Sequence, residues 1–409
     1  MVVPGVDTRA CALARAHKPA HFELERVVRP NILALQPYRC ARDDFQEGIL
    51  LDANENAMGP AITPGSSVYE SLDLHRYPDP SLHRARELAT ELRGLPHPAF
   101  TFLGVGSDEV IDLIQRCFAR PGQDKILICP PTYGMYSVSA NINDIQVVQV
   151  PLITADGAFQ LDVQGVQEAL RADPAIRIVF LCSPGNPTGT LLPLRDIQQV
   201  LDTPEYNGLV VVDEAYIDFA AEEQVIGRKH GTEPVSAVSL VHEYANVIVS
   251  QTLSKSFGLA GVRLGLAFAQ PPVVQVMNNT KAPYNISSPA AYLASQSLSS
   301  EGVERMRANV QVLLHERDRL CKAFAQIPAL GAVLGGNDAN FVLVQVLDKP
   351  GGVPDSQRAA DIYNTMARHR GLVVRNRSSE LGCAGCLRIT IGTAAENDQC
   401  VALLTELLA

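Results

Sequence analysis

The chain's most chemically suggestive residue is a lysine set among small and hydroxylated neighbours. Lys255 stands in SQTLSKSFGLAGVRLG, residues 250–265, with Thr252 and Ser254 just before it. The β-branched run at 247–249 predicts a short buried strand, which puts the lysine just past a strand's carboxyl end, where open α/β sheets collect ligands. Burial penalises an ammonium, so a lysine in a partly dry pocket gives up its proton more readily, and the free amine can form a Schiff base with a carbonyl. Arg263 follows eight residues later, beyond Gly258 and Gly261, which let backbone approach a ligand closely. A planar guanidinium there suits a phosphate dianion. Taken alone, the same residues also make an ordinary surface turn, so other stretches must decide.

Several stretches offer complementary chemistry. Asp213 ends the apolar run LVVV at 209–212 and opens DEAYIDF; it either caps the next turn or turns a carboxylate toward a protonated nitrogen, with Tyr216 on the same side. Asn186 is held in CSPGNPTG, 182–189, between two prolines and two glycines, a constraint that suggests aim. Tyr133, in PPTYGMY at 130–136, could stack on a flat ring or simply pack. In GVGSDEVIDLIQRCF, 104–118, Ser107 reads as a helix N-cap with Asp108 and Glu109 in the first turn, and the free amides of such a helix start make an anion site. Acids there also stabilise the helix with no ligand present. Arg375 and Arg388, thirteen apart in short apolar strands, suggest clamps for carboxylate or phosphate. Asn54 and Asn56 in LDANENAMGP (51–60) suit turn chemistry, and RYPDP (76–80) is a proline-stiffened loop.

The elements that must place these residues follow a strand, turn, helix grammar from residue 102 to about 300. Strands are predicted at 125–129, 145–150, 176–181, 209–212, 247–249 and 265–269, and helices at 82–93, 163–171, 288–299 and 303–327, with 104–118 a turn that enters a helix after Ser107. Beyond 330, strands at 341–346, 372–374 and 387–391 interleave with helices at 356–369 and 394–408, a smaller α+β unit. The first fifty residues lack a clear period and read as an extended arm. With 409 residues, 46% hydrophobic and 19% charged, the chain has the composition of a soluble globular protein of two domains. A net charge of -10 without a long basic run argues against nucleic acid. No apolar segment is long enough to span a bilayer, and no secretory signal pattern is present, although Arg9, Arg15 and Lys18 against Asp7 leave a minor organelle-targeting reading. Nine cysteines lack framework spacing, and the CxxC at Cys383 and Cys386 has no accompanying ligand cluster, so the thiols read as reduced, the location as cytoplasmic and metal binding as absent.

Taken in order, GSDE, PPTY, SPGNPTG, DEAY, SKSFGLAGVRLG and LRITIGT resemble the fold-type I pyridoxal-phosphate aminotransferases of class I/II, and LDANENAMGP, RYPDP and VRNRS narrow the likeness to the histidinol-phosphate aminotransferases. The resemblance implies an α/β fold: a large domain with a mostly parallel central sheet (51–300), a smaller α+β domain (301–409) and an N-terminal arm (1–50) that helps complete it. By the same resemblance, Lys255 holds pyridoxal 5'-phosphate and moves the substrate's proton, and Asp213 pairs with the ring nitrogen. Tyr216 and Asn186 hydrogen-bond the ring oxygen, Tyr133 stacks on the ring, and Ser107, Asp108, Thr252, Ser254 and Arg263 hold the phosphate. Tyr77 reaches the neighbouring subunit's cofactor, which implies a homodimer with shared sites. Arg388, supported by Arg375, Tyr38 and Asn54, meets the anion of either small-molecule substrate: the phosphate of histidinol phosphate, or the carboxylate of glutamate and 2-oxoglutarate. Ala57 and Met58, with the long arm, depart from the compact bacterial form. An aromatic amino-acid aminotransferase, a threonine-phosphate decarboxylase and a non-catalytic cofactor-binding module remain as alternatives. A nucleotide-binding dehydrogenase is weaker, for want of GxGxxG after the first strand.

Overall fold

The computed structural model describes residues 3–14, 16–37, 72–225 and 229–409. Seven strands, β1 (Thr101–Gly104), β2 (Lys125–Ile128), β3 (Gln146–Gln149), β4 (Ile176–Cys182), β5 (Leu209–Asp213), β6 (Val247–Thr252) and β7 (Gly265–Ala269), make one sheet in the order β1-β7-β6-β5-β4-β2-β3. From β3 across to β6 neighbouring strands pair in parallel, and β7 lies antiparallel to both β1 and β6. The middle strands are unbroken apolar runs because helices cover both sheet faces. Successive residues alternate between two cores: Val179, Leu181, Val210, Val212 and Val249 face one, while Ile178, Phe180, Leu209, Val211 and Ile248 face the other.

A second sheet is antiparallel throughout, in the order β10-β11-β9-β8, from β8 (Leu330–Leu334), β9 (Phe341–Val346), β10 (Arg375–Asn376) and β11 (Cys386–Thr390). Helices Ser356–His369 and Ala394–Leu408 bury Ile362, Met366, Leu403 and Leu404 against its Val342, Val344, Leu387 and Ile389. The Ser300–Phe324 helix joins the two regions. Val303, Met306, Val310 and Leu314 pack with Tyr216 and Phe219, and Leu320 and Phe324 enter the core of the second sheet.

Three expectations change. The arm is not extended throughout: it carries short helices at Thr8–Leu13, Leu24–Val27 and Pro30–Leu33, and Val3, Val27, Val28 and Leu33 join the core that also holds the Gly106–Phe118 helix. Helices this short leave no period to read. The strand expected at 372–374 forms instead at Arg375–Asn376, where Arg375 and Arg388 face each other across the β10 and β11 pair; Leu372 and Val374 serve the core beneath. Ser107 is not an N-cap, because the helix begins at Gly106 with Val105 as the cap residue, and Glu109 reaches back to the Val105 amide. Helices at Met135–Ile142, Leu194–Leu201, Ile217–Val225 and Pro271–Thr280, with β8, had not been expected. Ile217–Val225 buries residues nearly all round, which erases the stripe, and the Pro271 and Pro272 pair sits in a first turn, where proline is tolerated. Among the described residues no helix is long and apolar enough to cross a membrane.

Candidate active site

The sheet order brings the chemistry to the carboxyl ends of its central strands. Asp213 is the last residue of β5, Asn186 lies in the loop after β4, and Lys255 in the turn after β6. These three, with Ser107, Asp108, Tyr133, Tyr216, Thr252, Ser254, Arg263, Arg375 and Arg388, line one cavity of about 370 Å3. That size falls in the usual range for small-ligand sites. Tyr77 is elsewhere, half exposed and stacked on Tyr284 at 4.7 Å between ring centroids. Tyr38 and Asn54 lie outside the described residues.

Asp213 and Lys255 occupy environments that push their charges in opposite ways. Asp213 is buried, and burial raises its carboxyl to about 6, held from rising further by hydrogen bonds from the Tyr136 hydroxyl (2.7 Å) and the Ala215 amide (3.3 Å). No cation touches it among the described residues, so a protonated ring nitrogen would fit beside it and favour its ionised form. Solvent reaches Lys255 through the open cavity mouth, and the residue as a whole is exposed. Its amine nevertheless sits 5.7 Å from the centroid of the Tyr216 ring, on the cavity side, and its pKa is lowered, first by burial and then by the positive charges of Arg388 and Arg263. Tyr216 packs edge-on against Phe341 at 5.2 Å, and burial raises its phenol.

One end of the cavity is a cradle for an anion. Glu109 takes up the Val105 amide, but among the described residues no side chain accepts from the Gly106, Ser107 or Asp108 amides, and the first amides of a helix have no intrahelical acceptor. Gly106 has φ 74°, and a Cβ there would meet Arg263 Nη2 at 2.5 Å; one on Gly265 would meet the Gly106 backbone at 2.3 Å. Both glycines are therefore needed for β7, the helix start and the arginine to come together. Arg263, itself left-handed at φ 57°, reaches the Asp108 carboxylate at 3.5 Å, an exposed and hence weak pair. Thr252 donates to the Leu264 carbonyl (3.2 Å) and can accept from the Ser254 hydroxyl (2.9 Å). Tyr133 donates to Asp108 (3.0 Å), with its ring against the edge of Tyr136 at 5.6 Å. These groups fit the phosphate of the pyridoxal phosphate that the resemblance implies.

The other end is a wall of guanidinium groups from the second sheet. Arg388 donates to the Asn186 side-chain oxygen at 2.6 Å and lies over the Phe341 ring at 5.3 Å. Arg375 lies opposite it in register, and Arg377 joins the lining with an ion pair to Glu380 at 2.8 Å. Burial and the neighbouring Arg377 and Arg375 lower the Arg388 pKa. Among the described residues, Nε of Arg388 and Nε of Arg377 find no acceptor. Sequence reasoning missed two of these groups. Tyr136 stood inside PPTYGMY and Arg377 inside VRNRS, but neither motif shows which of its two similar residues bears on the site. Cys383 and Cys386 are buried and not bonded to each other.

Over residues 44–404 the chain matches the aminotransferase class I and II family. It is 47% identical over 384 residues to a histidinol-phosphate aminotransferase of Schizosaccharomyces pombe, covering 92% of this chain and 95% of that protein. It is 45% identical over 390 residues to a histidinol-phosphate aminotransferase of Candida maltosa, covering 92% and 96%. Among solved structures, a histidinol-phosphate aminotransferase from Sinorhizobium meliloti, in complex with pyridoxal-5'-phosphate, superposes with a TM-score of 0.69 at 24% identity, over 87% of this chain and 89% of that one. At that identity the likeness is one of fold.

Proposed function

The chain belongs to the aminotransferase class I and II family, and on that premise we propose that it moves an amino group from L-histidinol phosphate to 2-oxoglutarate, giving imidazole-acetol phosphate and L-glutamate, a step of histidine biosynthesis. One observation carries the reading: a single cavity holds a lysine amine and a buried carboxylate between two separate cationic ends. Pyridoxal phosphate, when bound, supplies the aldehyde that accepts the amino group and a ring that takes up the charge left on carbon.

This chain's residues do the rest. Lys255, with its pKa already lowered, binds the aldehyde and afterwards carries a proton between the substrate carbon and the cofactor. Asp213, positioned by Tyr136, meets the ring nitrogen and keeps it protonated. Tyr216 and Asn186 would bond the ring oxygen, Tyr133 would stack on the ring, and the Ser107 and Asp108 amides with Thr252, Ser254 and Arg263 would hold the phosphate. Arg388 and Arg375, joined by Tyr38 and Asn54, receive the substrate anion. A phosphate in one half-reaction and a carboxylate in the other are both planar-fork acceptors for arginine, so one site serves both. Tyr77 does not line this chain's own cavity and stands half exposed, which supports its reaching into a neighbouring subunit of a cytoplasmic homodimer.

The test is spectroscopic and then kinetic. The protein reconstituted with pyridoxal phosphate is expected to be yellow, to change its absorbance on titration with L-histidinol phosphate and to recover with 2-oxoglutarate. Turnover is expected to favour histidinol phosphate over phenylalanine by ~10²-fold or more in kcat/KM, because phenylalanine brings the arginine wall a singly charged carboxylate in place of a phosphate dianion, and a phenyl ring in place of an imidazole with hydrogen-bonding nitrogens. Release of carbon dioxide from threonine phosphate, or preference for phenylalanine, would overturn the substrate assignment.

A further inference from the structure

Outside the cavity lining runs a largely buried hydrogen-bonded chain that begins next to Asp213 and ends next to Lys255. Glu214 follows Asp213 in sequence and is 2% exposed. It accepts from the Ser236 hydroxyl (2.7 Å) and from the Gln251 side-chain amide (2.8 Å). The other end of that amide, Gln251 Oε1, accepts from Arg93 Nε at 2.7 Å. Arg93 Nη2 forms an ion pair with Asp218 Oδ1 at 2.8 Å, and the second oxygen of Asp218 accepts from the hydroxyl of Ser256, the residue after Lys255. Gln251 and Ser256 are 1% and 7% exposed, and the side chains of Arg93 and Asp218 are 14% and 8% exposed. None of the five lines the cavity.

We propose that Glu214, Gln251, Arg93, Asp218 and Ser256 are positioning residues that fix the Lys255 amine relative to the Asp213 carboxylate. The reasoning starts from what the backbone leaves free. Lys255 lies in a turn outside any strand, whereas Asp213 is pinned by the ladder of β5, where the Glu214 amide bonds the Ser250 carbonyl at 2.7 Å. Backbone bonds from Gly258 to the Lys255 carbonyl (3.0 Å) and from Leu259 to the Leu253 carbonyl (3.0 Å) shape that turn, and the Ser256 hydroxyl on Asp218 ties it to the Ile217–Val225 helix. Asp218 can hold that bond as a buried carboxylate only with a cation beside it, which is Arg93. Arg93 in turn is aimed by Gln251, whose amide is oriented by Glu214, so the chain starts on the segment that carries the acid and ends on the one that carries the amine. Burial raises Glu214 to about 7, and the hydrogen bonds from Ser236, the Ala237 amide and Gln251 oppose that rise.

This inference rests on the function proposed above, and the experiment separates the two. The holoenzyme is titrated with pH while its visible absorbance, which reports the protonation of the bond between Lys255 and the cofactor, is followed; kcat and KM for histidinol phosphate are measured alongside. Ser256→Ala and Asp218→Asn are each expected to shift the titration midpoint and to lower kcat about tenfold with KM changed less than threefold, since small misplacements of a reacting group cost rate more than binding. Ser256→Thr, which keeps the hydroxyl, is expected to restore both. The paired variant Arg93→Met with Asp218→Leu removes both charges together, so its melting temperature is expected to recover relative to Asp218→Asn while kcat and the midpoint do not. Recovery of kcat together with melting temperature, or an unmoved midpoint in Ser256→Ala, would overturn the positioning role. A wild type that stays colourless with pyridoxal phosphate would instead sink the function itself, and the positioning chain with it.

Discussion

The two ends of the cavity are built on different principles. At the Lys255 end each charged group already has a defined neighbour: Asp213 has Tyr136, Arg263 has Asp108, and Lys255 lies beside Tyr216. These groups come from the carboxyl edges of parallel strands whose register is fixed by two buried cores. At the far end, Arg375, Arg377 and Arg388 come from the edge of a small antiparallel sheet, with Glu380 as the one acid paired to them among the described residues and two Nε groups left without acceptors. The first end is complete enough to hold one ligand permanently. The second has an excess of positive charge that an anion would relieve, which is what the proposed exchange of two acidic substrates requires.

The contrast predicts unequal losses. Lys255→Ala removes both the attachment of the cofactor and the mover of the proton, so turnover is expected to fall by about 10⁴-fold or more and the absorbance of the bound aldehyde to be lost. Retained turnover would dissolve the distinction between the ends. Arg388→Ala is next, with kcat/KM expected to drop by about 10²-fold for both histidinol phosphate and glutamate while the cofactor stays bound, its absorbance titrating at higher pH because the Arg388 charge no longer disfavours a proton at Lys255. Arg388→Lys keeps the charge but not the fork, and should regain only part of that loss. If Arg388→Ala bleached the cofactor instead, the two ends would not be independent.

The same contrast explains what could be read from the amino-acid sequence. The Lys255 end was legible because parallel strands write themselves as contiguous apolar runs, and each run ends in the residue that matters: VVV before Asp213, VIV before the Lys255 turn. The arginine end was only half legible. Arg375 and Arg388 were visible, but their two-strand pairing, and the inclusion of Arg377, depend on a strand of two residues that no periodicity reveals. Tyr136 was hidden for a different reason. It lies in the unexpected Met135–Ile142 helix, so its reach to Asp213, 77 positions away in the chain, is a tertiary fact.

A smaller effect tests whether the acid under the ring is held at a cost. The folded carboxyl of Asp213, at about 6, lies above its ordinary 3.8, so between those values the folded protein binds more protons than the unfolded one. Stability of the cofactor-free enzyme should therefore decrease as pH rises through that window, by on the order of 3 kcal/mol in full, and stay reduced above it. Asp213→Asn has no proton to lose there, while Glu214 titrates alike in both proteins. The melting temperature of the wild type minus that of Asp213→Asn, both without cofactor, is expected to fall between pH 4.5 and 7. A flat difference would mean that the carboxylate is already compensated, and that the Lys255 end does not await a cation.

Tyr136→Phe should give the mildest change, because it deletes one hydroxyl and leaves the ring stacked on Phe180 at 4.7 Å. The lost bond is one to a charged group, worth ~1.5–3 kcal/mol. Since that bond holds the Asp213 carboxyl down, its removal moves the pKa further up and carries the falling limb of the cofactor-free stability profile toward higher pH. With the cofactor bound, a less readily ionised acid pairs less firmly with the ring nitrogen, so cofactor affinity is expected to weaken by about tenfold, with the KM values set at the arginine end unaffected. Equilibrium dialysis of pyridoxal phosphate against both proteins measures the first, and steady-state kinetics at saturating cofactor the second. A rise in KM for histidinol phosphate without any loss of cofactor affinity would place Tyr136 in the service of the substrate end and redraw the line between the two.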